Sequence, residues 1–133
     1  MPLIKIVASR SHLNPRVVTA LQAETAALMA QLLRKNSEVT VVQVQGQADG
    51  FWSVGGRDIQ DRPLAYLEAF ITEGTNTFAE KESFIAAAYS MLAKHLGANL
   101  SPSYVIVQEI AAENWGYDGL TQAGRKHLAS KGQ

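Results

Sequence analysis

Leu3 to Ala8 is a short apolar run and predicts a first strand. The pattern then changes period. Val18, Leu21, Thr25, Leu28, Met29 and Leu32 recur at i, i+3, i+4 spacing, which is the stripe of a helix with one buried face. Asn14 and Pro15 suit its start, because an asparagine side chain caps free amides and a proline at the first helical position gives up no needed hydrogen bond. Val39 to Gln45, rich in β-branched valine, predicts a second strand. After a loop the order repeats. Leu64 to Thr72 reads as a third strand, and Thr77-Phe78-Ala79-Glu80 has capping-box spacing. The helix it opens carries Phe84, Ile85, Ala88, Met91, Leu92 and Leu96 on one stripe and stops at Gly97. Tyr104 to Ile110 predicts a fourth strand, and the polar tail from Leu120 is expected to be peripheral.

The second half overlies the first at an offset of 63 positions, as from Leu21 to Phe84, Met29 to Leu92 and Val42 to Val105. The same offset lays Phe51-Trp52-Ser53-Val54-Gly55-Gly56 on Asn114-Trp115-Gly116-Tyr117-Asp118-Gly119, so an aromatic before a glycine turn closes each copy. The fold class expected is therefore α+β. Two tandem β-α-β units, about 2–56 and about 65–119, form a four-stranded sheet with two helices on one face, followed by a tail of about 120–133, all in one domain. Val, Ile and Phe occupy strand positions of both parities, so the sheet's other face also needs cover, and other subunits would supply it.

Composition narrows the function. A chain of 133 residues buries roughly two-thirds of the surface exposed when unfolded, enough for a core without staples. It has no cysteine, which excludes disulfides and thiolate chemistry. Twelve basic and twelve acidic residues are scattered without long runs of one sign, which argues against nucleic-acid or anionic-membrane partners. No apolar run approaches the ~18 residues of a membrane span. The start, Met1-Pro2-Leu3-Ile4-Lys5-Ile6-Val7, lacks a basic leader, so a cytoplasmic location is expected. His12, His95 and His127 have no metal-ligand spacing, and no metal or cofactor is expected.

Met1-Pro2-Leu3-Ile4-Lys5, the duplicated unit and the two aromatic-glycine turns together resemble the tautomerase superfamily, over nearly the whole chain to about Gly119. Glu109 to Gly119 is similar to the end of the 4-oxalocrotonate tautomerase unit, with Trp115 where that family has a pocket phenylalanine. Ala112 through Tyr117 also resembles the macrophage migration inhibitory factor branch, in which a lysine precedes the second strand and a tyrosine opens the fourth; Lys35 and Tyr104 hold those places. The resemblance implies a homotrimer with pockets at subunit borders and a small-molecule substrate. It also implies a cofactor-free keto-enol tautomerase whose general base is the amine of Pro2, freed when Met1 is removed. Short-chain members use arginines where this chain has His12 and Tyr104, which leaves Arg10 as the nearby loop cation. Dehalogenase and decarboxylase branches carry arginines after the third strand, where this chain has Glu73-Gly74-Thr75-Asn76. Ala65 stands in the place of Pro2 in the second copy, so one reactive proline per chain is expected.

These residue types suit proton transfer between carbon and oxygen of a 2-oxo acid enol or dienol. The base must be unprotonated near neutral pH, and lowering an amine pKa by about two units takes about 2.7 kcal/mol. Burial and a nearby cation supply such a shift, and Lys35 and Arg10 are the candidate cations, able also to hold a substrate carboxylate. Tyr104 is expected to hydrogen-bond or protonate the developing enolate oxygen, while Trp115, Tyr117 and Phe70 would exclude water and favour a planar conjugated substrate. Each choice has an ordinary structural counterpart: Lys35 complementing a helix dipole, Tyr104 at an interface, and Trp52 and Trp115 as packed aromatics. The competing functions are a hydratase, dehalogenase or decarboxylase on the same scaffold, and a trimer that binds without chemistry.

Overall fold

The computed structural model describes residues 2–131. Its elements in chain order are β1 (Leu3–Ser9), α1 (Pro15–Leu33), β2 (Val41–Gln47), β3 (Ser53–Val54), β4 (Arg57–Asp58), β5 (Ala65–Thr72), α2 (Phe78–Leu96), β6 (Tyr104–Ile110), β7 (Gly116–Tyr117), β8 (Leu120–Thr121) and α3 (Gln122–Lys131). Both predicted caps are made: the Asn14 side chain accepts from the Val17 amide at 2.9 Å, and Thr77 and Glu80 form a complete capping box. Gly97 closes α2. Two expectations shift. The second strand begins at Val41, because Ser37–Val39 coil into a 3-10 turn capped by the Asn36 side chain. The tail is peripheral but ordered, since Leu120–Thr121 pair with Gly116–Tyr117 and α3 follows with no buried residue.

Four strands form one sheet in the order β2-β1-β5-β6. β1 runs antiparallel to β5 at the centre, and each pairs in parallel with the outer strand of its own copy. The central antiparallel pair places the two copies head to tail, so their equivalent ends lie at opposite edges of the sheet. Ile4, Ile6, Ala8, Leu67, Ala69 and Ile71 point to one face and pack under Leu21, Met29, Leu33, Phe84, Ala88 and Leu92 of the helices. Thr25, fully buried in this layer, donates to the Met91 sulfur at 3.4 Å. Across the helix pair Glu24 accepts from Lys94 and meets His95 Nε2 at 2.8 Å, and these hydrogen bonds, that of His95 foremost, hold its carboxyl below the usual range.

The opposite face carries no helix. Register puts Val41, Leu3, Phe70 and Gln108 in one row there, and Gln43, Lys5, Glu68 and Ile106 in the next. Leu3 and Ile106 are each 39% exposed, Val41 57% and Tyr104 66%. A single chain thus leaves a partly apolar sheet face bare.

Candidate active site

Pro2 sits just before β1, with its side chain fully buried. Its carbonyl accepts from the Val41 amide at 3.2 Å, which pins the chain start to β2. Beside it lies a cavity of about 220 Å³ lined by Pro2, Leu3, Val39, Val41, Trp115, Gly116 and Tyr117. Trp115 is held by its indole N–H, which donates to the Thr72 hydroxyl at 3.1 Å at the end of β5. Tyr117 lies in β7, on a hairpin whose turn residues Asp118 and Gly119 have φ of 52° and 86°. Positive φ at both turn residues matches the right-handed twist of a two-residue hairpin.

Lys35 lies at the same edge. Its Nζ donates to the Thr75 hydroxyl at 2.9 Å, and partial burial, with the neighbouring Arg34 charge second, lowers its pKa. Two further cations here are paired: Arg34 forks onto Glu80 at 3.0 and 3.1 Å, and Lys81 binds Glu109. The Glu80 carboxyl is pulled down to about 2, first by the Thr77 amide and then by Arg34. Glu109 is lowered by Lys81 and the Gly74 amide.

The cavity has a twin. A pocket of about 110 Å³ at the opposite edge is lined by Trp52, Ser53, Val54, Leu64, Ala65, Tyr66, Pro102 and Tyr104. The offset of 63 carries Pro2 to Ala65, Leu3 to Tyr66, Val41 to Tyr104, Trp115 to Trp52 and Tyr117 to Val54. The duplication therefore built two matched pockets, one with a proline at its base and one with alanine.

The residues singled out by sequence divide between these edges. Pro2, Trp115 and Tyr117 share the first cavity, Lys35 lies on its edge of the sheet, and Phe70 is paired beside Leu3 on the open face. Tyr104 lines the Ala65 pocket. Arg10 follows Ser9 at the far end of β1 and donates to the Gly46 carbonyl. The length of β1 separates it from Pro2 by about 25 Å. Within one chain, then, neither Tyr104 nor Arg10 reaches Pro2, because the antiparallel centre of the sheet sends their loop and strand ends the other way. Sequence reading did not place Val39 and Val41 at this cavity; Val41 follows from its pairing with Leu3, and Val39 from the 3-10 turn that precedes β2. Behind the cavity wall, Arg125 of α3 lies over the Tyr117 ring, 63 positions after Arg62.

A sequence model of the tautomerase enzyme family matches residues 67–123, the second copy through its closing hairpin. The probable tautomerase K2 of Dickeya dadantii (strain 3937) is 30% identical over 67 residues, which is 50% of this chain and 100% of that protein. Among solved structures, a fused 4-OT wild-type symmetric trimer superposes with a TM-score of 0.82 at 19% identity, covering 92% of this chain and 98% of the other. The macrophage migration inhibitory factor-like protein of Entamoeba histolytica gives 0.74 at 18% identity, covering 90% and 97%. These structures share the whole two-copy fold, the family model and the curated relative supply the sequence link, and together they place the chain in the tautomerase superfamily.

Proposed function

We propose that this protein is a cofactor-independent keto-enol tautomerase acting on 2-oxo acid enols or dienols, with the amine of Pro2 as general base once Met1 is removed. The observation that carries the reading is Pro2 buried at the base of a cavity walled by Trp115 and Tyr117. A buried position disfavours the charged form of an amine, which is the direction a base working near neutral pH needs. The aromatic walls suit a flat conjugated substrate and exclude water from the proton transfer. The base takes a proton from the enol hydroxyl and delivers one to carbon, so no redox or metal step is needed.

The reading extends to the assembly. Three copies pack their open sheet faces together, which brings Tyr104 and Arg10 of a neighbouring copy towards the Pro2 cavity, where Tyr104 hydrogen-bonds the enolate oxygen. Each chain contributes one reactive cavity, because Ala65 in the twin pocket is mid-chain and has no amine to offer.

Ketonisation of phenylenolpyruvate and 2-hydroxymuconate by Met1-processed protein, beside its Pro2→Ala variant, tests this across pH 5 to 9. General-base catalysis supplies about 10² to 10⁴ in rate, and the variant should lose that much of kcat/KM. The active form is the unprotonated amine, so activity should rise with pH through a pKa below that of a free secondary amine. Equal rates for both proteins, or none above buffer, would sink the proline-base reading.

A further inference from the structure

Each of the matched pockets has an indole in its lining, but the two indoles are held differently. Trp52 Nε1 donates to the Gln47 carbonyl at 3.4 Å, five positions away at the end of the outer strand β2. Trp115 Nε1 donates at 3.1 Å to the Thr72 hydroxyl, 43 positions away on β5, a central strand of the sheet. The residue that the offset of 63 lays on Thr72 is Ser9, and its hydroxyl is taken up by the amide and carbonyl of Leu64, at 2.9 and 3.2 Å. A bond from indole to central strand is therefore made at the Pro2 pocket and not at its twin.

We propose that Thr72 is a positioning residue of the Pro2 cavity, its hydroxyl fixing the Trp115 indole in the orientation that forms the cavity wall. The inference rests on the tautomerase reading of that cavity and names what keeps its aromatic wall in place. A β-branched side chain on a strand has few χ1 choices, so the backbone of β5 sets where the hydroxyl points. Thr72 is itself pinned: it pairs with Ile110 in the β5–β6 ladder, and its carbonyl accepts from the Thr75 hydroxyl at 2.6 Å. β5 is also hydrogen-bonded to β1, where Phe70 lies opposite Leu3, the residue after Pro2. Ring and base are thus referred to one rigid pair of strands. Thr72 is not among the residues that line the cavity, so it acts through Trp115. Without the hydroxyl a part-buried indole N–H would face no acceptor, and the ring would turn to find one.

Thr72→Val keeps the shape and removes the acceptor, whereas Thr72→Ser keeps the acceptor. In a Trp52→Phe protein Trp115 is the sole tryptophan, so its fluorescence anisotropy decay reads the ring without turnover. With threonine or serine at the position the ring should tumble with the whole protein, and Thr72→Val should add a sub-nanosecond component. In the same variant kcat/KM for phenylenolpyruvate should fall about ten- to a hundredfold, as for a misplacement of about 1 Å near a reacting centre, and Thr72→Ser should recover it. Once Trp115→Phe has removed the N–H, Thr72→Val should change the rate by less than about twofold, because its effect runs through the indole. If Thr72→Val is unfolded by circular dichroism, Thr72→Ala, which also removes the hydroxyl, decides by the same readings. An unchanged decay would overturn the proposal, as would, in an active protein, an undiminished rate or the same loss after Trp115→Phe. A decay that responds in a protein whose ketonisation rate Pro2→Ala leaves untouched would uphold Thr72 and sink the tautomerase reading. A Pro2-dependent rate with an unchanged decay would do the reverse.

Discussion

Gly116 sits between the two aromatic walls of the Pro2 cavity, and a Cβ there would lie 1.9 Å from the Leu120 carbonyl oxygen. That contact is with backbone, so no rotamer relieves it. Gly116→Ala must therefore open the β7–β8 pair and move Trp115 and Tyr117 with it. A misplacement of about 1 Å at a reacting centre costs up to about 10² in rate, and the variant should lose kcat/KM on that scale while circular dichroism stays native. Retention of full activity would remove the hairpin from the site. The matching position of the first copy holds Ser53, so the demand is local to this hairpin and not imposed by the repeat. Residue by residue, the sequence was legible where local chemistry decides, as at Asn14, Thr77, Gly97 and the aromatic-glycine turns. It was not legible where a role depends on which sheet edge a residue reaches. Tyr104 and Arg10 carry the right side chains, but strand direction separates them from Pro2.

The cap of α2 does more than start a helix. Thr77 accepts from the Glu80 amide at 3.1 Å and Glu80 accepts from the Thr77 amide at 2.9 Å, while Arg34, the left-handed residue that ends α1, forks onto the same carboxylate. The end of one helix is thereby tied to the start of the other, beside Lys35 and Thr75. Thr77→Ala should cost about 1 kcal/mol in denaturant unfolding, the usual loss for a cap. The Glu80 pKa falls from 4.5 unfolded to about 2 folded, so its contribution is complete above 4.5 and is lost as pH falls towards 2. Glu80→Gln should flatten the acid limb of the stability profile within that window, and an unchanged limb would show that solvent screens the pair. The capping box was readable from four residues, because its spacing is local. Its partner Arg34 was not, since a left-handed arginine at a helix end has no sequence signal and its carboxylate lies 46 positions away.

At the scale of the molecule, the sheet is finished on one side and bare on the other. The helix-facing layer is a closed core of Ile, Leu, Met and Phe. The other face mixes Leu3, Val41, Phe70 and Ile106 with Lys5, Gln43, Glu68 and Gln108, which is too apolar for open solvent and polar enough to be selective about its cover. A trimer built on this face would sediment at about 43 kDa, three times the 14.4 kDa chain. Ile106→Glu adds a carboxylate to the row that already holds Glu68, on an outer strand whose side chain is solvent-exposed in the single chain, so the fold survives while the interface gains an unpaired charge. Sedimentation should then give the single chain, and on the proposed reading, in which Tyr104 and Arg10 come from another copy, ketonisation should be lost in parallel. Leu128→Glu, also an exposed apolar position but on α3, should leave both mass and rate unchanged. A monomeric Ile106→Glu protein that retains full activity would place the whole reaction within one chain, and Lys35, Trp115 and Tyr117 would then have to suffice beside Pro2.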